Sequence, residues 1–340
     1  MCKKLTKPLS TRYWISSNQN YANQSRYPKL AFKEQFDHKI YKENMRMTRV
    51  LIVGATGMLG HKMALKLAQK KYEVFATLRQ SIPPFFKSNT VDTLKMIEGV
   101  DAYDLASVQS AMDQSKPDFV LNCIGIVKQL DESKSAIPSI TINALFPHQL
   151  AKIANEAGAH LIHFSTDCVF SGTKGPYKQT DPSDVNDLYG LSKFMGEVSG
   201  EGALTIRSSI IGREFAKPTG LLEWFLSQKG KTVNGYKNAL YTGLTTNAMA
   251  DLVDFIIQSY PTLSGLYQVS SEAISKFDLL QLVNKAYGTN ITIKPDEAFH
   301  CDRRLVMKEF SDKTGWYPKS WEIMIKAMLD EDSQYYITNA

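Results

Sequence analysis

The sequence predicts an α/β fold built on a doubly wound parallel sheet, with a smaller α/β part towards the C-terminal end. Two observations support this prediction. Short apolar runs that suit buried strands alternate with amphipathic helical patterns up to about residue 210, as in parallel sheets. The chain of 340 residues is 43% hydrophobic, which suits two domains or one large α/β domain with additions.

Positive charge is concentrated at the start of the chain. Residues 1–46 contain ten Lys or Arg and three Asp or Glu, which gives +7, whereas the whole chain carries +6 and the remainder is therefore −1. The basic character belongs to a tail and not to a binding face, so we expect no nucleic-acid partner. The composition predicts a disordered extension over residues 1–46, with a targeting peptide or a nucleic-acid arm as alternatives.

The sequence lacks several features, and their absence predicts the cellular location of the protein and the redox state of its cysteines. No apolar run approaches the ~20 residues of a membrane helix, and no signal peptide is recognisable. The four cysteines, at positions 2, 123, 168 and 301, have neither the spacing of a disulfide framework nor that of a metal site. We therefore expect a cytoplasmic protein with reduced thiols, no membrane contact and no metal.

The first predicted strand leads directly into a glycine loop. Residues 49–53 read RVLIV and are followed by GATGMLG and then by a helical pattern. In this context Gly54 permits a tight turn, Gly57 lets the backbone approach a pyrophosphate, and Gly60 lets helix and strand pack closely. The motif predicts a Rossmann-type NAD(P)-binding domain over residues 47–210.

The ends of later strands predict the rest of a cofactor site. The second strand, YEVFATLR, ends at Arg79, where a carboxylate would normally bind the ribose of NAD. An arginine suits a 2′-phosphate, so NADPH is favoured, with NADH as the alternative. A short strand ending at Asp104 and Leu105 is expected beside the adenine, and KPDFVLNCIGI is expected beneath the nicotinamide ribose.

Polar side chains in two segments predict the reaction centre. Tyr189 and Lys193 stand four residues apart in LYGLSKFMGE, so a helix would place both on one face. An ammonium beside the phenol would favour its ionised form and lower the pKa of Tyr189. Ser165 and Thr166 end the strand HLIHFSTD at the edge where ligands bind, and a hydroxyl there can hydrogen-bond a substrate carbonyl.

The motifs GATGMLG, NCIG, STDCVF, LYGLSK and CDRRL together resemble the extended short-chain dehydrogenase/reductase family, and within it the dTDP-4-dehydrorhamnose reductase branch. The resemblance runs from about residue 47 to about residue 330. It implies that Thr166 polarises a keto oxygen, that Tyr189 donates a proton, and that Lys193 holds the nicotinamide ribose. The cofactor site that it implies, together with the residues reasoned above, comprises Gly54, Thr56, Gly57, Met58, Leu59, Gly60, Arg79, Asp104, Leu105, Gly125, Ile126, Val127, Tyr189 and Lys193.

The resemblance also implies a substrate site and a mainly substrate-binding domain over residues 211–340. Thr166 and Asp167 would contact a sugar, and Arg304 a diphosphate. Two positions depart from the branch: Cys168 replaces the tyrosine of STDYVF, and Ile210 replaces the tryptophan of RTSW. Both changes remove an aromatic ring expected near the substrate, so we place both residues in the substrate site and expect the substrate to differ from dTDP-rhamnose precursors.

Taken together, the resemblance implies NADPH-dependent reduction of a nucleotide-activated 4-keto-6-deoxysugar, in the synthesis of deoxysugar or polysaccharide precursors. Two alternatives stay open: an epimerase or dehydratase that retains NAD, and a non-catalytic regulatory subunit. The expected partner is a nucleotide-sugar substrate. The oligomeric state is open, with a homodimer among the alternatives.

Overall fold

The computed structural model describes residues 46–88, 91–214 and 219–335. The predicted disordered extension falls on residues 1–46, of which residues 1–45 lie outside the described part. The description that follows concerns the three described ranges.

Twelve strands in these ranges form one large and two small sheets. They are β1 Thr48–Val53, β2 Tyr72–Thr77, β3 Leu94–Ile97, β4 Phe119–Asn122, β5 His160–Ser165, β6 Ala203–Arg207, β7 Ile210–Ile211, β8 Thr232–Tyr241, β9 Leu244–Thr245, β10 Gly265–Gln268, β11 Ile274–Ser275 and β12 Thr292–Asp302.

The large sheet has seven strands in the order β3-β2-β1-β4-β5-β6-β10, and every neighbouring pair is parallel. The predicted doubly wound parallel sheet is therefore confirmed. The strand order reverses its direction between β1 and β4, and this switch point creates the crevice where such sheets bind ligands.

Helices accompany the strands along the chain. They are α1 Met58–Ala68, α2 Pro84–Ser88, α3 Leu105–Ser115, α4 Ala136–Ser139, α5 Phe146–Glu156, α6 Leu188–Met195, α7 Leu221–Leu226, α8 Thr246–Ser259, α9 Lys276–Tyr287, α10 Lys308–Thr314 and α11 Trp321–Tyr335. A π-helical segment, Ile140–Leu145, joins α4 to α5. No helix in the described ranges is both long and apolar enough to cross a bilayer, and the cytoplasmic location stays a prediction.

Two hydrophobic clusters lie on opposite faces of the large sheet. Side chains alternate between the faces of a strand, and along β1 Val50 and Ile52 join one cluster while Leu51 and Val53 join the other. All four are fully buried. This burial on both faces explains why β1 is a continuous apolar run and not an alternating one.

The strand predicted to end at Asp104 and Leu105 is wrong. Strand β3 lies earlier, at Leu94–Ile97, and Asp104 is the N-cap of α3. The Asp104 carboxylate accepts a hydrogen bond from the Ala106 amide at 3.1 Å. A short acidic side chain stabilises a helix start better than it fills a strand, which accounts for the difference.

The chain beyond residue 210 contributes both to the large sheet and to small sheets of its own. Strand β10 pairs with β6, and α8 packs against α1. Strand β8 lies between β11 and β12, and β7 pairs with β9. The boundary predicted at residue 210 divides the chain by function, and that division stays a prediction.

Helix α1 reaches the glycine loop through one close contact. A Cβ atom at Gly60 would overlap the carbonyl oxygen of Gly54, which is rigid backbone. Gly200 makes a matched control because a Cβ there would meet no heavy atom within 4 Å.

We expect Gly60→Ala to lower the free energy of unfolding by about 2 kcal/mol, since overpacking forces backbone to move. Gly200→Ala should leave the unfolding free energy nearly unchanged. Urea unfolding followed by circular dichroism measures both, and equal stability of the two variants would contradict the close packing.

Candidate active site

The glycine loop between β1 and α1 has the geometry of an anion site. Gly54 has φ +93°, and its amide donates to the Thr77 hydroxyl at 3.1 Å, which ties the loop to the end of β2. Gly57 is the N-cap of α1, and no side chain caps this end of the helix. The first turn of α1 contains no acidic residue. Amide groups at such a helix start suit a pyrophosphate, so the loop fits a dinucleotide. Gly54 and Gly60 have the predicted backbone roles, while the cofactor contacts of Thr56, Gly57, Met58 and Leu59 stay predictions.

Two further cofactor segments lie at the same edge of the sheet. Arg79 is exposed just after the end of β2, and Asp104 is exposed at the start of α3. Arg79 follows β2, the neighbour of β1, and Asp104 follows the edge strand β3, so both lie in the half of the sheet where an adenosine would lie. Their contacts with a cofactor, and that of Leu105, remain predictions.

The loop that follows β4 is held by a residue that sequence reasoning missed, Asn143. The Ile126 amide donates to Asn143 Oδ1 at 2.9 Å, and Asn143 Nδ2 donates to the Ile126 carbonyl at 3.0 Å. The same Nδ2 lies 3.4 Å from the Ser192 hydroxyl on α6. Asn143 therefore joins the predicted cofactor segment Gly125–Val127 to the helix of Tyr189. It lies in the π-helical segment, and π turns are frequent at functional sites.

Thr166, Tyr189 and Lys193 come together where β5 meets α6. The Thr166 hydroxyl lies close enough to the Tyr189 phenol to act on its pKa. Lys193 Nζ donates to the Phe164 carbonyl at 2.8 Å. Gly190 permits the approach, because a Cβ there would overlap the carbonyl oxygen of Cys168. The three predicted catalytic side chains thus form one cluster at the carboxyl end of β5.

The expected lowering of the pKa of Tyr189 by Lys193 is wrong. Burial raises the pKa of the Tyr189 phenol, and the neighbouring Thr166 hydroxyl only partly offsets this rise. The Lys193 ammonium is bound to the Phe164 carbonyl. The phenol is therefore protonated at neutral pH, which is the state that a proton donor needs.

A buried ion pair between Glu197 and Arg207 lies next to this cluster and is hydrogen-bonded to the end of β5. Glu197 Oε1 accepts from the Ser165 hydroxyl at 2.7 Å and from Arg207 Nε at 2.7 Å, and Glu197 Oε2 accepts from Arg207 Nη2 at 2.6 Å. Only 6% of each charged side chain is exposed. Burial lowers the pKa of Lys193 to about 8, while the Glu197 carboxylate acts in the opposite direction. Sequence reasoning missed Glu197, although it follows Lys193 by four residues, the same step that separates Tyr189 from Lys193.

Arg303, and not Arg304, faces the segment that follows β5. Arg303 Nε donates to the Phe170 carbonyl at 2.9 Å, and Nη1 lies 3.6 Å from Cys168 Sγ. Arg304 instead forms a two-pronged ion pair with Asp302, at 2.9 and 2.7 Å. The diphosphate contact predicted for Arg304 stays a prediction. Of the two arginines, Arg303 is the one that contacts Cys168, two residues after Thr166.

The two positions that depart from the branch have different surroundings. Cys168 is partly buried, and burial raises its pKa to about 12, so its thiol is neutral at physiological pH. Ile210 is also partly buried, pairs with Leu244 across β7 and β9, and packs against the large hydrophobic cluster. Asp167 is buried and accepts a hydrogen bond from Thr166 at 3.2 Å.

This arrangement agrees with the family to which the sequence is similar. The sequence pattern of the RmlD substrate binding domain family matches residues 47–333. The chain belongs to this family. The extended short-chain dehydrogenase/reductase resemblance is thereby confirmed, as is the prediction of an NAD(P)-dependent oxidoreductase at the level of the family.

Individual relatives in this family have different names. The spore coat polysaccharide biosynthesis protein SpsK of Bacillus subtilis (strain 168) is 26% identical over 312 residues, which cover 84% of this chain and 99% of that protein. The methionine adenosyltransferase 2 subunit beta of Xenopus laevis is 29% identical over 71% of this chain and 72% of its own length. A dTDP-4-dehydrorhamnose reductase of Streptomyces griseus is 29% identical over 45% of this chain and 43% of its own length.

Solved structures share the fold. The dTDP-4-dehydrorhamnose reductase of Bacillus anthracis str. Ames, in complex with NADP, aligns with a TM-score of 0.70 at 18% identity, over 85% of this chain and 99% of that one. The Bordetella bronchiseptica enzyme WbmG, in complex with NAD and UDP, aligns with a TM-score of 0.67 at 21% identity, over 86% and 97%. At these identities the likeness shows the fold alone.

We expect Glu197→Gln to lower the free energy of unfolding by about 3 kcal/mol, because it leaves the buried Arg207 guanidinium without its counter-charge. Glu201→Gln, at an exposed position nearby, is the control and should change it by less than about 0.5 kcal/mol. Urea unfolding at pH 7 measures both variants. A stable Glu197→Gln protein would show that the ion pair does not hold the site together.

Proposed function

We propose that the protein is an NADPH-dependent reductase of a nucleotide-activated 4-keto-6-deoxysugar, in deoxysugar or polysaccharide precursor synthesis. The observation that carries this proposal is the single cluster of Thr166, Tyr189 and Lys193 beside the switch point of the sheet. A carbonyl oxygen within reach of the Thr166 and Tyr189 hydroxyls would meet two hydrogen-bond donors and one source of a proton.

Each residue of the cluster would have a separate role in such a reduction. The nicotinamide, when bound, supplies the hydride to the carbonyl carbon. Thr166 orients the oxygen, and Tyr189 donates its phenolic proton to the alkoxide that develops there. Lys193 holds a positive charge beneath the site, where it would bind the nicotinamide ribose and stabilise the phenolate left on Tyr189. Its anchor on the Phe164 carbonyl places that charge at the end of β5.

The choice of NADPH over NADH rests on Arg79. Its exposed guanidinium follows β2, where a dinucleotide presents the adenosine ribose. A 2′-phosphate there would gain charge-assisted hydrogen bonds that the hydroxyl of NADH cannot match.

The substrate would be a nucleotide sugar, in keeping with the family and with the UDP named in the WbmG complex. Cys168 and Ile210 would leave more room beside the sugar than the aromatic rings that they replace. The base and the sugar therefore need not be those of the dTDP-rhamnose route. A panel of dTDP-, UDP- and GDP-linked 4-keto-6-deoxysugars, each assayed for NADPH consumption, identifies the substrate.

Two other functions are tested by the same preparation. The relatives named methionine adenosyltransferase 2 subunit beta favour a regulatory role, which co-purification with a larger enzyme and no turnover on the panel would support. An epimerase or dehydratase would retain NAD, so the purified protein would show reduced-nicotinamide absorbance that appears and disappears without net consumption. The intact Thr166, Tyr189 and Lys193 cluster argues against a purely regulatory role, and Arg79 argues against retained NAD, so we place reduction first.

A homodimer stays a prediction, and two helices offer a face for it. Exposed apolar side chains line the helical segment from α4 to α5 and the neighbouring α6. A two-fold contact would cover the same patch on both copies. These side chains are Ile137, Ile140, Leu145, Leu191, Phe194 and Met195. Sedimentation velocity decides between monomer and dimer.

We expect Tyr189→Phe to lower kcat for NADPH oxidation by at least about 10²-fold, since it removes the proton donor. Cofactor affinity and the unfolding midpoint should stay close to those of the parent protein. Tyr317→Phe, at a position that is 68% exposed, is the control and should retain full activity. Full turnover by Tyr189→Phe would exclude the proposed mechanism.

We expect Arg79→Ser to weaken NADPH binding by about 10- to 100-fold, which is the loss of one charge-assisted contact. NADH binding should change little and serves as the internal control. Fluorescence titration with each nucleotide measures this. Equal loss for both nucleotides would show that Arg79 does not read the 2′-phosphate.

A further inference from the structure

A second cationic side chain, Lys276, lies beside the reaction centre on an element that no motif singled out. It is the first residue of α9, and its Nζ atom lies 3.6 Å from the centroid of the Tyr241 ring. Tyr241 is only 5% exposed, so the ring that supports the ammonium is fixed. A cation over an aromatic face is stabilised without using its N–H donors.

The donors of Lys276 are free to bind something else. Among the described residues, no side chain or carbonyl accepts a hydrogen bond from Lys276 Nζ, and the side chain is only partly buried. Burial lowers the pKa of this ammonium to about 8. An ammonium that rests on a ring and has no protein acceptor can give its three N–H donors to a ligand.

Lys276 lies near the segment that follows Thr166. Leu240 of β8 pairs with Ser275 on one side and with Asp302 on the other, so Lys276 and Arg303 each follow a residue that flanks the same point of β8. The electrostatic neighbours of Lys276 come from two other segments and are Asp167, Cys168, Cys301 and Arg303. Arg303 uses Nε and Nη2 on the carbonyls of Phe170 and Ser171, while Nη1 is directed at Cys168. Two cations thus converge on the segment that begins one residue after Thr166. The Asp167 carboxylate offsets one of them, which leaves a net charge of +1 for a ligand.

We infer that Lys276 and Arg303 form an anion-binding subsite beside Cys168, which takes a phosphate or carboxylate group of the substrate. This inference deepens the proposed nucleotide-sugar site and rests on it. An anionic oxygen suits both cations, because an ammonium and a guanidinium each form charge-assisted hydrogen bonds with it. The group has two sources, the diphosphate of a nucleotide sugar and a carboxylate on its sugar ring.

Calorimetric titration of the full chain at pH 7 and fixed salt tests the subsite without turnover, so failure of the proposed reduction would not affect the result. Two probes, UDP and dTDP, carry a free diphosphate. The other two are UDP-glucuronate, whose sugar carries a carboxylate, and UDP-glucose, whose sugar is uncharged. We expect Lys276→Met to weaken binding about 10- to 100-fold and Lys276→Arg to stay within a few-fold of the parent. Lys285→Met, an exposed lysine on the same helix, is the matched control and should change nothing.

The pattern of loss identifies the source of the anion. Weaker binding of the free diphosphates assigns the subsite to phosphate. Unchanged diphosphates with a loss confined to UDP-glucuronate assign it to a carboxylate. Binding of every probe by Lys276→Met within twofold of the parent would overturn the inference. The unfolding midpoint should not fall in Lys276→Met, because the change removes a desolvated charge.

A pH series provides a second measurement that does not require Lys276→Met to fold. In the parent, affinity should fall as pH rises above about 8, when the ammonium loses its proton. The pKa values of Tyr241 and Arg303 are both raised, so the Tyr241 phenol stays neutral and the Arg303 guanidinium stays charged. The other titratable groups that face the ammonium are Asp167, Cys168 and Cys301. Lys276→Arg keeps its charge and should abolish the fall. A fall that persists in Lys276→Arg would belong to another of these groups and would contradict the subsite.

Discussion

The buried pairing of Glu197 with Arg207 is the interaction on which the candidate active site depends. One carboxylate accepts hydrogen bonds from the end of β5 and from the end of β6, and its charge also acts on Lys193. Isolated buried charges are costly, so each member of this set is stable only while the others are in place. The end of β5, the helix α6 and the edge of β6 are therefore held as one unit. The predicted catalytic side chains stand on that unit and not on independent loops.

Much of the fold could be predicted from the sequence because its signals are local. The glycine loop, the apolar strands and the four-residue step from Tyr189 to Lys193 each lie within a dozen residues, and each corresponds to a backbone geometry that few other sequences satisfy. Gly60 illustrates this, since only the absence of a side chain lets α1 approach the loop. The Asp104 segment shows the limit, because its alternation resembles a strand while its carboxylate caps a helix.

The parts that could not be predicted depend on contacts between distant segments. Asn143 lies 49 residues before Ser192, and the Arg303 contact with Cys168 spans 135 residues. No local pattern distinguishes Arg303 from Arg304, because their different orientations arise only after β12 has docked beside the end of β5. The pKa of Tyr189 has the same origin: spacing indicates that an ammonium is near, whereas burial by the rest of the protein decides the direction of the shift.

The position of β10 in the large sheet has a consequence for the order in which the chain can fold during synthesis. Strand β6 is complete at residue 207, but its outer edge is covered only by residues 265–268. While residues 208–264 are being made, the growing chain presents β6 as an unpaired edge, and such edges can pair with other chains. Folding of the large sheet thus depends on the part of the chain that follows residue 210, and a nascent chain stalled in this interval would be prone to aggregation. Ribosome pausing and chaperone binding would be most consequential within these 57 residues.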